Sequence, residues 1–245
     1  LLKGKINKWT YNRETIKALI KVSPLHFLSR SFASILSNIE PTVIAFLIKP
    51  ETAVIYVITK KAATMAQQLL SVLIASVFPS FVKKISTSHK TDEKNNYIAN
   101  IVSLSFFFGL LSFGTYNALN MSFVNIWIGS SKFLGQDITL AISVGAFLYF
   151  MFQVGTNIIF GSGKIILTSK IILAEAVIRL VFIIGLVKSI GIIGYPIGLI
   201  LSTSTMYLFL IPKLIGDGNV IKKAFIFFKI FSIILIFILS NQWNS

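Results

Sequence analysis

The chain has 245 residues, of which 55% are hydrophobic and 13% charged, and its mean hydropathy of +0.81 excludes an ordinary soluble domain. Its net charge of +15 could suggest nucleic acid. The cations, however, flank uncharged stretches of membrane-spanning length, so membrane topology and anionic lipid account for them and no nucleic acid is expected. The lack of cysteine excludes disulfides and thiol catalysis, and two histidines are too few for a histidine metal site, so we expect neither metal nor cofactor.

Residues 1–23 carry six cations against one acid and predict a cytoplasmic or interfacial connector. Because the chain opens without Met or a signal peptide, we expect it to be part of a longer protein. Ser23-Pro24 favours a helix start, and residues 24–245 then predict one all-α bundle of about seven transmembrane helices with short loops. Pro41 removes a backbone hydrogen bond to the carbonyl of Ser37 and predicts a kink. The predicted spans are 24–48, 52–82, 97–124, 137–161, 165–188, 191–212 and 223–240.

Lysine and arginine are distributed unequally over the two ends of these spans. Sixteen lie on the side of residues 1–23, and three lie on the other side, namely Lys49, Lys132 and Lys188. This asymmetry places residues 1–23 in the cytoplasm. Tyr56 and Trp127 are expected at the outer interface, which amphipathic rings favour.

Six ionisable side chains fall inside the predicted spans. Each costs about 2.5–3.5 kcal/mol near the centre of a helix in lipid, so we expect all of them to face the bundle interior, a partner or water. They are Arg30, Glu40, Lys60, Lys61, Glu175 and Arg179.

Two charge pairs are predicted among these six. Glu175 and Arg179 are i, i+4 neighbours on one helix. Glu40 and Lys60 lie ten residues before and after Pro50, so antiparallel helices would bring them to the same depth. Both pairings leave Arg30 and Lys61 without a carboxylate.

Polar side chains form stripes along four of the predicted helices. Small polar residues join helices in lipid for about 0.6 kcal/mol per bond, so part of each stripe is explained by interhelical contact alone. Full charges are expensive for that role, and an excess of positive charge in a wet interior suits an anionic ligand such as a diphosphate. The stripes are Arg30, Ser34, Ser37 and Pro41; Lys60, Thr64, Gln67 and Ser71; Tyr149, Gln153 and Thr156, with Asn157 beside them; and Thr168, Glu175 and Arg179.

Catalytic motifs are missing, and we expect no enzyme. The segment Gly161-Ser162-Gly163-Lys164 does not match a phosphate-binding loop, because Ile158 and Ile165 stand where Gly and Ser or Thr are needed. No HExxH motif, Asp-x-Asp pair or Ser-His-Asp set occurs. The glycosylation-type tripeptide Asn120-Met121-Ser122 lies at a predicted helix end and is interpreted as chance.

Several short motifs resemble a family of bacterial polysaccharide-biosynthesis membrane proteins. These are the Wzx-type O-antigen or capsule flippases of the multidrug/oligosaccharidyl-lipid/polysaccharide exporter superfamily. The similarity covers most of residues 18–215. Its motifs are the helix led by Pro24, Tyr56 after the outer turn, Phe78-Pro79, Trp127-Ile128-Gly129, Phe160-Gly161 to Lys164, and Gly191-Ile192-Ile193-Gly194.

The resemblance implies the second lobe of a two-lobed MATE-like flippase in a bacterial inner membrane, with the first lobe of the same protein as its missing partner. Such a protein moves an undecaprenyl-diphosphate-linked oligosaccharide across the bilayer by alternating access. In that role Arg30, Lys60, Lys61 and Arg179 would attract the diphosphate. Gln67, Gln153 and Asn157 would bind sugar hydroxyls, and the prenyl tail would stay in lipid.

Three alternatives stay open at this point. A drug/cation antiporter of the same superfamily should have more acidic than basic cavity residues, whereas here basic residues lead four to two. A membrane-embedded glycosyltransferase, phosphoglycosyl transferase or polymerase should show acidic catalytic pairs or long outer loops. A non-transporting scaffold is the third alternative.

Overall fold

The computed structural model describes residues 13–87 and 91–214, and within these ranges all regular structure is helical, which confirms the all-α class. Short 3-10 helices at Ser130–Lys132 and Gly191–Ile193 connect longer elements. The predicted helix 223–240 and most of the predicted connector lie outside the described residues. The α-helices are α1 Arg13–Asn38, α2 Glu40–Leu47, α3 Pro50–Thr87, α4 Thr91–Trp127, α5 Gln136–Gly161, α6 Ile165–Ile190 and α7 Gly194–Leu214.

Four helical stretches in the described part of the chain are long and apolar enough to cross a membrane. They are Pro50–Lys84, Glu93–Trp127, Gln136–Gly161 and Ile165–Tyr207, the last of which contains α6 and most of α7. Large apolar side chains lie on the outside, including Phe46 (87% exposed) and Ile126 (88% exposed). Because so much apolar surface would be costly in water, this is a membrane protein whose surface contacts hydrocarbon.

The first predicted span is built differently from the expectation. Helix α1 begins at Arg13 rather than at Pro24, which lies inside it. Proline costs this helix one hydrogen bond, but its φ suits a helix and the preceding residues are good helix formers. The expected kink coincides with a break in the helix, because α1 ends at Asn38 and α2 starts at Glu40 with Pro41 in its first turn. The predicted span 24–48 is therefore two helices.

Helix α5 is the centre of the bundle and packs against α3, α4, α6 and α7. Nearly all its residues from Ala141 to Val154 are buried. Helix α4 approaches it closely at Gly109, where an added Cβ would lie 3.0 Å from the rings of Phe147 and Phe150. The helix that these four helices share is therefore the most buried of the candidate membrane spans.

The ends of the bundle differ in charge. The end of α3, the start of α4 and the turn between α5 and α6 lie together, and we call this the lysine-rich end. It carries Lys83, Lys84, Lys94 and Lys164. Phe81 packs on Tyr97 at this end, with ring centroids 6.0 Å apart, and joins α3 to α4.

Helices α6 and α7 form a tight antiparallel hairpin. The backbones come close enough at Gly194 that a Cβ there would lie 2.4 Å from the carbonyl carbon of Leu186. At Gly198 a Cβ would meet the backbone nitrogen of Ile183 at 3.0 Å. Small residues at such crossings let helices in lipid gain van der Waals contact.

We expect Gly194→Ala to destabilise the protein by about 1–3 kcal/mol, because the new methyl group clashes with backbone that cannot rotate away. The measurement is the thermal unfolding midpoint of the purified protein in detergent. Gly185→Ala, in α6, is the matched control, because no atom lies within 4 Å of its added Cβ. Equal midpoints for both variants would contradict the close packing of this hairpin.

Candidate functional site

A polar groove runs between α1 and α3. Helix α1 packs on α6, and α3 packs on α4 and α5, while α1 and α3 make no extended contact with each other in the described chain. Two contacts orient the polar faces toward this gap: Arg30 of α1 reaches Asn157 of α5, and Lys60 of α3 reaches Glu40 of α2. We define the polar groove by the following side chains: Arg30, Ser34 and Ser37 from α1; Lys60, Lys61, Thr64, Gln67 and Ser71 from α3; and Tyr149, Gln153 and Asn157 from α5.

Helix α3 presents three different faces. Tyr56, Thr59 and Ala63 are buried against the bundle. The polar stripe beginning at Lys60 occupies a second face, an arc of roughly 60° that widens to roughly 120° when Lys61 is included, since each residue advances the helix by about 100°. A third face is apolar and exposed, with Leu69 and others meeting hydrocarbon. A helix that faced only lipid would not carry the second face, so the groove side of α3 meets something other than acyl chains.

A row of polar side chains along the middle of α5 forms the floor of the groove. Tyr149, Gln153 and Asn157 follow at i, i+4 and i+8 and are partly exposed, in a helix that is otherwise nearly all buried. These three side chains therefore form one row between the walls.

Glu40 and Lys60 form the first expected charge pair, at the end of the groove next to α2. The Glu40 side chain is 7% exposed and the Lys60 side chain is 24% exposed, so this pair borders the groove. Tyr56 and Tyr195 lie beside Glu40, with their ring centroids 5.8 Å apart. Tyr56 was expected at the outer interface, but it is 1% exposed, because its ring fills the space under this pair.

Glu175 and Arg179 form the second expected pair, at 3.3 Å between Arg179 Nε and Glu175 Oε1. Both side chains are at most 5% exposed. Ser202 of α7 donates a hydrogen bond to Glu175 Oε1 at 3.2 Å, and Arg179 lies 4.8 Å from the centroid of the Tyr149 ring. Arg179 thus supports the floor of the groove from behind, and it does not lie on the open surface.

Arg30 and Lys61 have no carboxylate partner among the described residues, and both are exposed. Arg30 Nη2 donates a long hydrogen bond of 3.4 Å to Asn157 Oδ1, which links the α1 wall to the floor. Two full positive charges are therefore left in membrane helices, Arg30 over the floor of the groove and Lys61 about 100° around α3 from Lys60, at the edge of the polar face. An isolated charge there is costly unless water or an anion reaches it.

A buried hydrogen-bond network, which the sequence patterns did not reveal, fixes the rotation of α3. The carbonyl of Thr59 accepts hydrogen bonds from Tyr116 Oη and Asn120 Nδ2, both at 3.0 Å. Asn120 also donates to Thr139 Oγ1 at 3.2 Å, so three helices meet there. Asn120 is 1% exposed and engaged, which rules it out as a glycosylation acceptor and agrees with the chance interpretation. Its signal was the i, i+4 pair of Tyr116 and Asn120 in an otherwise apolar helix.

A second missed contact holds α1 against the bundle. His26 Nδ1 lies 3.1 Å from Ser169 Oγ of α6, and its ring stacks on Phe160 of α5 at 5.0 Å. Helix α1 is therefore attached to α5 and α6 at His26, one helical turn before Arg30. No group of three His, Cys, Asp or Glu side chains capable of holding a metal occurs within residues 13–87 and 91–214.

We expect Glu40→Lys and Lys60→Glu each to lower membrane abundance several-fold, because each leaves two like charges in a half-buried site. Combining both changes restores the attraction and should return abundance close to that of the parent. Lys132→Glu, at an exposed lysine in the loop after α4, is the control and should have little effect. A double variant no better than either single variant would show that this pair does not support the fold.

We expect Arg179→Met alone to destabilise the protein by about 3–5 kcal/mol, because it leaves the carboxylate of Glu175 buried without its charge partner. Arg179→Met combined with Glu175→Leu removes both charges and should recover most of that loss. The measurement is again the unfolding midpoint in detergent. A single variant as stable as the parent would mean that the pair is not a structural element.

Comparison of the chain with protein-family models, with curated proteins and with solved structures finds no match. The resemblance to polysaccharide flippases therefore depends on the short sequence motifs alone. The polar groove, the two charge pairs beside it and the two exposed cations, Arg30 and Lys61, are the basis of the function proposed below.

Proposed function

We propose that this protein translocates a polyprenyl-diphosphate-linked oligosaccharide across a bacterial cytoplasmic membrane, as one lobe of a two-lobed flippase. The observation that carries the proposal is the pair of exposed cations, Arg30 and Lys61, on a polar groove in a membrane bundle. A diphosphate offers the charge that both lack, and the planar guanidinium can bind it through two hydrogen bonds.

The remaining groove side chains suit the rest of such a ligand. Gln67, Gln153 and Asn157 carry both donors and acceptors, as hydrogen bonding to sugar hydroxyls requires. Tyr149 adds an aromatic ring in the same row. Lys60 contributes as half of its pair with Glu40, and Arg179 contributes by holding Tyr149 in place. The prenyl chain stays in the bilayer.

The break between α1 and α2 supports movement of the groove wall. Ile39 has φ −77° and ψ −5°, and Pro41 has no backbone donor for the carbonyl of Ser37, so one hydrogen bond is missing at the junction, while Ile39 still donates to Ile35 at 2.8 Å and Val43 to Ile39 at 2.9 Å. Broken helices of this kind recur in transporters that open alternately to either side. In this proposal α1 moves relative to α2 while α3 stays attached through Thr59.

The charges disfavour the alternative functions. A cation antiporter needs a carboxylate that can receive its substrate or a proton, but both carboxylates near the groove, Glu40 and Glu175, are engaged by cations. A glycosyltransferase or polymerase is expected to present a pair of acidic catalytic side chains to its substrate, and the side chains that define the groove include no carboxylate. The excess of positive charge fits an anionic passenger better than either alternative.

We expect Arg30→Gln together with Lys61→Gln to weaken binding of undecaprenyl diphosphate at least tenfold, because the groove loses both uncompensated charges. Binding is measured on the purified full-length protein. Undecaprenol, which lacks the phosphates, should bind weakly to both proteins. Lys132→Gln together with Lys188→Gln removes two exposed lysines away from the groove and should leave binding unchanged.

The cellular readout is surface polysaccharide in a strain that depends on this protein. The Arg30, Lys61 double variant should lose most of it at normal membrane abundance. Undiminished diphosphate binding and normal polysaccharide would refute the proposed function.

A further inference from the structure

An apolar crevice lies between α3 and α4, with α5 as its floor. Its volume is about 200 Å³. Contacts join α3 to α4 on either side of it, at Thr59 through the hydrogen bond from Tyr116 and at Phe81 through its stacking on Tyr97. Six of the residues that line it are Leu70, Leu73, Val77, Leu104, Phe108 and Phe150.

The crevice opens toward hydrocarbon. Leu73 and Leu104 at its mouth are more than half exposed, whereas Leu70 and Phe150 at its floor are buried. Water is disfavoured there because a bound water needs two to four polar partners. Ser76, one of the few polar residues in the lining, donates its hydroxyl proton to the carbonyl of Leu73 at 2.7 Å. An acyl chain from the surrounding bilayer would replace the van der Waals contacts that an empty crevice loses.

The lysine-rich end lies at the right distance for a lipid headgroup. Lys84 is three residues beyond Phe81, about 4.5 Å along the helix, and Lys94 is seven residues before Ile101, about 10 Å. Lys84 Nζ lies 4.5 Å from the centroid of the Tyr97 ring, which places it at the junction of α3 and α4. Residues 83–94 carry four lysines against two acids. This positive excess beside an apolar slot is complementary to an anionic headgroup on an acyl chain.

We infer that the crevice binds an anionic phospholipid of the surrounding bilayer, with one acyl chain between α3 and α4 and the phosphate near Lys84 and Lys94. This site goes beyond the proposed function, because its ligand is a resident lipid and, apart from Asn157 of α5, its lining residues do not belong to the polar groove. The bound chain would fill the space between the two helices and so stabilise the wall that carries the groove lysines.

The test is native mass spectrometry of the full-length protein released from nanodiscs that contain equal amounts of phosphatidylglycerol and phosphatidylcholine. We expect at least one retained phosphatidylglycerol per protein and several-fold less phosphatidylcholine. Ser105→Phe fills the crevice and should lower retention at least fivefold. Ser103→Phe, at an exposed position on the same helix outside the lining, is the matched control and should retain the lipid. Equal retention by the two variants would overturn the site.

The headgroup is tested separately. Lys84→Gln with Lys94→Gln should bring the ratio of the two retained lipids close to one, whereas Lys132→Gln at the other end should leave it unchanged. Equal retention of both lipids by the parent protein would refute the headgroup assignment. These results do not depend on binding of undecaprenyl diphosphate, so the site and the proposed function can fail independently.

A fluorescence measurement tests the same site without a crevice-filling variant, so misfolding of Ser105→Phe cannot affect its result. In the Leu104→Trp variant, brominated phosphatidylglycerol should quench the fluorescence of the new tryptophan more than brominated phosphatidylcholine does. Leu111→Trp, equally exposed but outside the crevice, should show no such preference. Equal quenching at Leu104→Trp would contradict the inference. Displacement of the bound lipid by undecaprenyl phosphate would also contradict the inference.

A disulfide between Leu104→Cys and a cysteine placed within 223–240 would contradict it as well, because that segment of the chain would then occupy the crevice. The native chain has no cysteine, so no other disulfide can form.

Discussion

The rotation of α3 about its own axis is the constraint on which the functional surfaces of this protein depend. It is set at the carbonyl of Thr59, which accepts hydrogen bonds from Tyr116 and Asn120 of α4. Because these bonds are buried in a membrane protein, water offers no replacement for them, and turning α3 would leave polar groups unsatisfied. The same rotation directs Lys60 and Gln67 toward the polar groove and Leu70 toward the crevice. One backbone carbonyl thereby separates a polar surface from an apolar one on a single helix.

The charges of the bundle fall into two kinds with different consequences. Glu175 and Arg179 are buried together under Tyr149, and removing either one leaves the other charge without compensation. Arg30 and Lys61, by contrast, are exposed and have no carboxylate within the described residues. The first kind stabilises the fold, and the second kind gives the groove its affinity for anions under the proposed function. Lys60 shares features of the paired and the exposed charges, because its carboxylate partner Glu40 is nearly buried while Lys60 itself borders the groove.

Much of the helical architecture was predictable, because span length and apolar composition act locally. The helix predicted over 137–161 is observed at Gln136–Gly161, and the helix predicted over 165–188 is observed at Ile165–Ile190. The start of α1 was mistaken, since a proline after serine is a favourable helix start but also fits inside a helix at the cost of one hydrogen bond. The charge pairs followed from spacing: i, i+4 on one helix, and symmetry about Pro50 across a tight turn. The roles of Tyr56 and His26 did not follow, because their partners lie on distant helices.

The sequence by itself determined that the chain lies in a membrane, that it is helical and that positive charge exceeds negative charge inside it. These properties depend on composition and on the 3.6-residue period, which do not require knowledge of which helices touch. Only the tertiary structure decided that Arg179 is buried behind Tyr149 while Arg30 is exposed on the groove, although both are arginines in membrane helices. Exposure is a property of the neighbours that packing brings together, and those neighbours are more than a hundred residues apart in the case of Arg30 and Asn157.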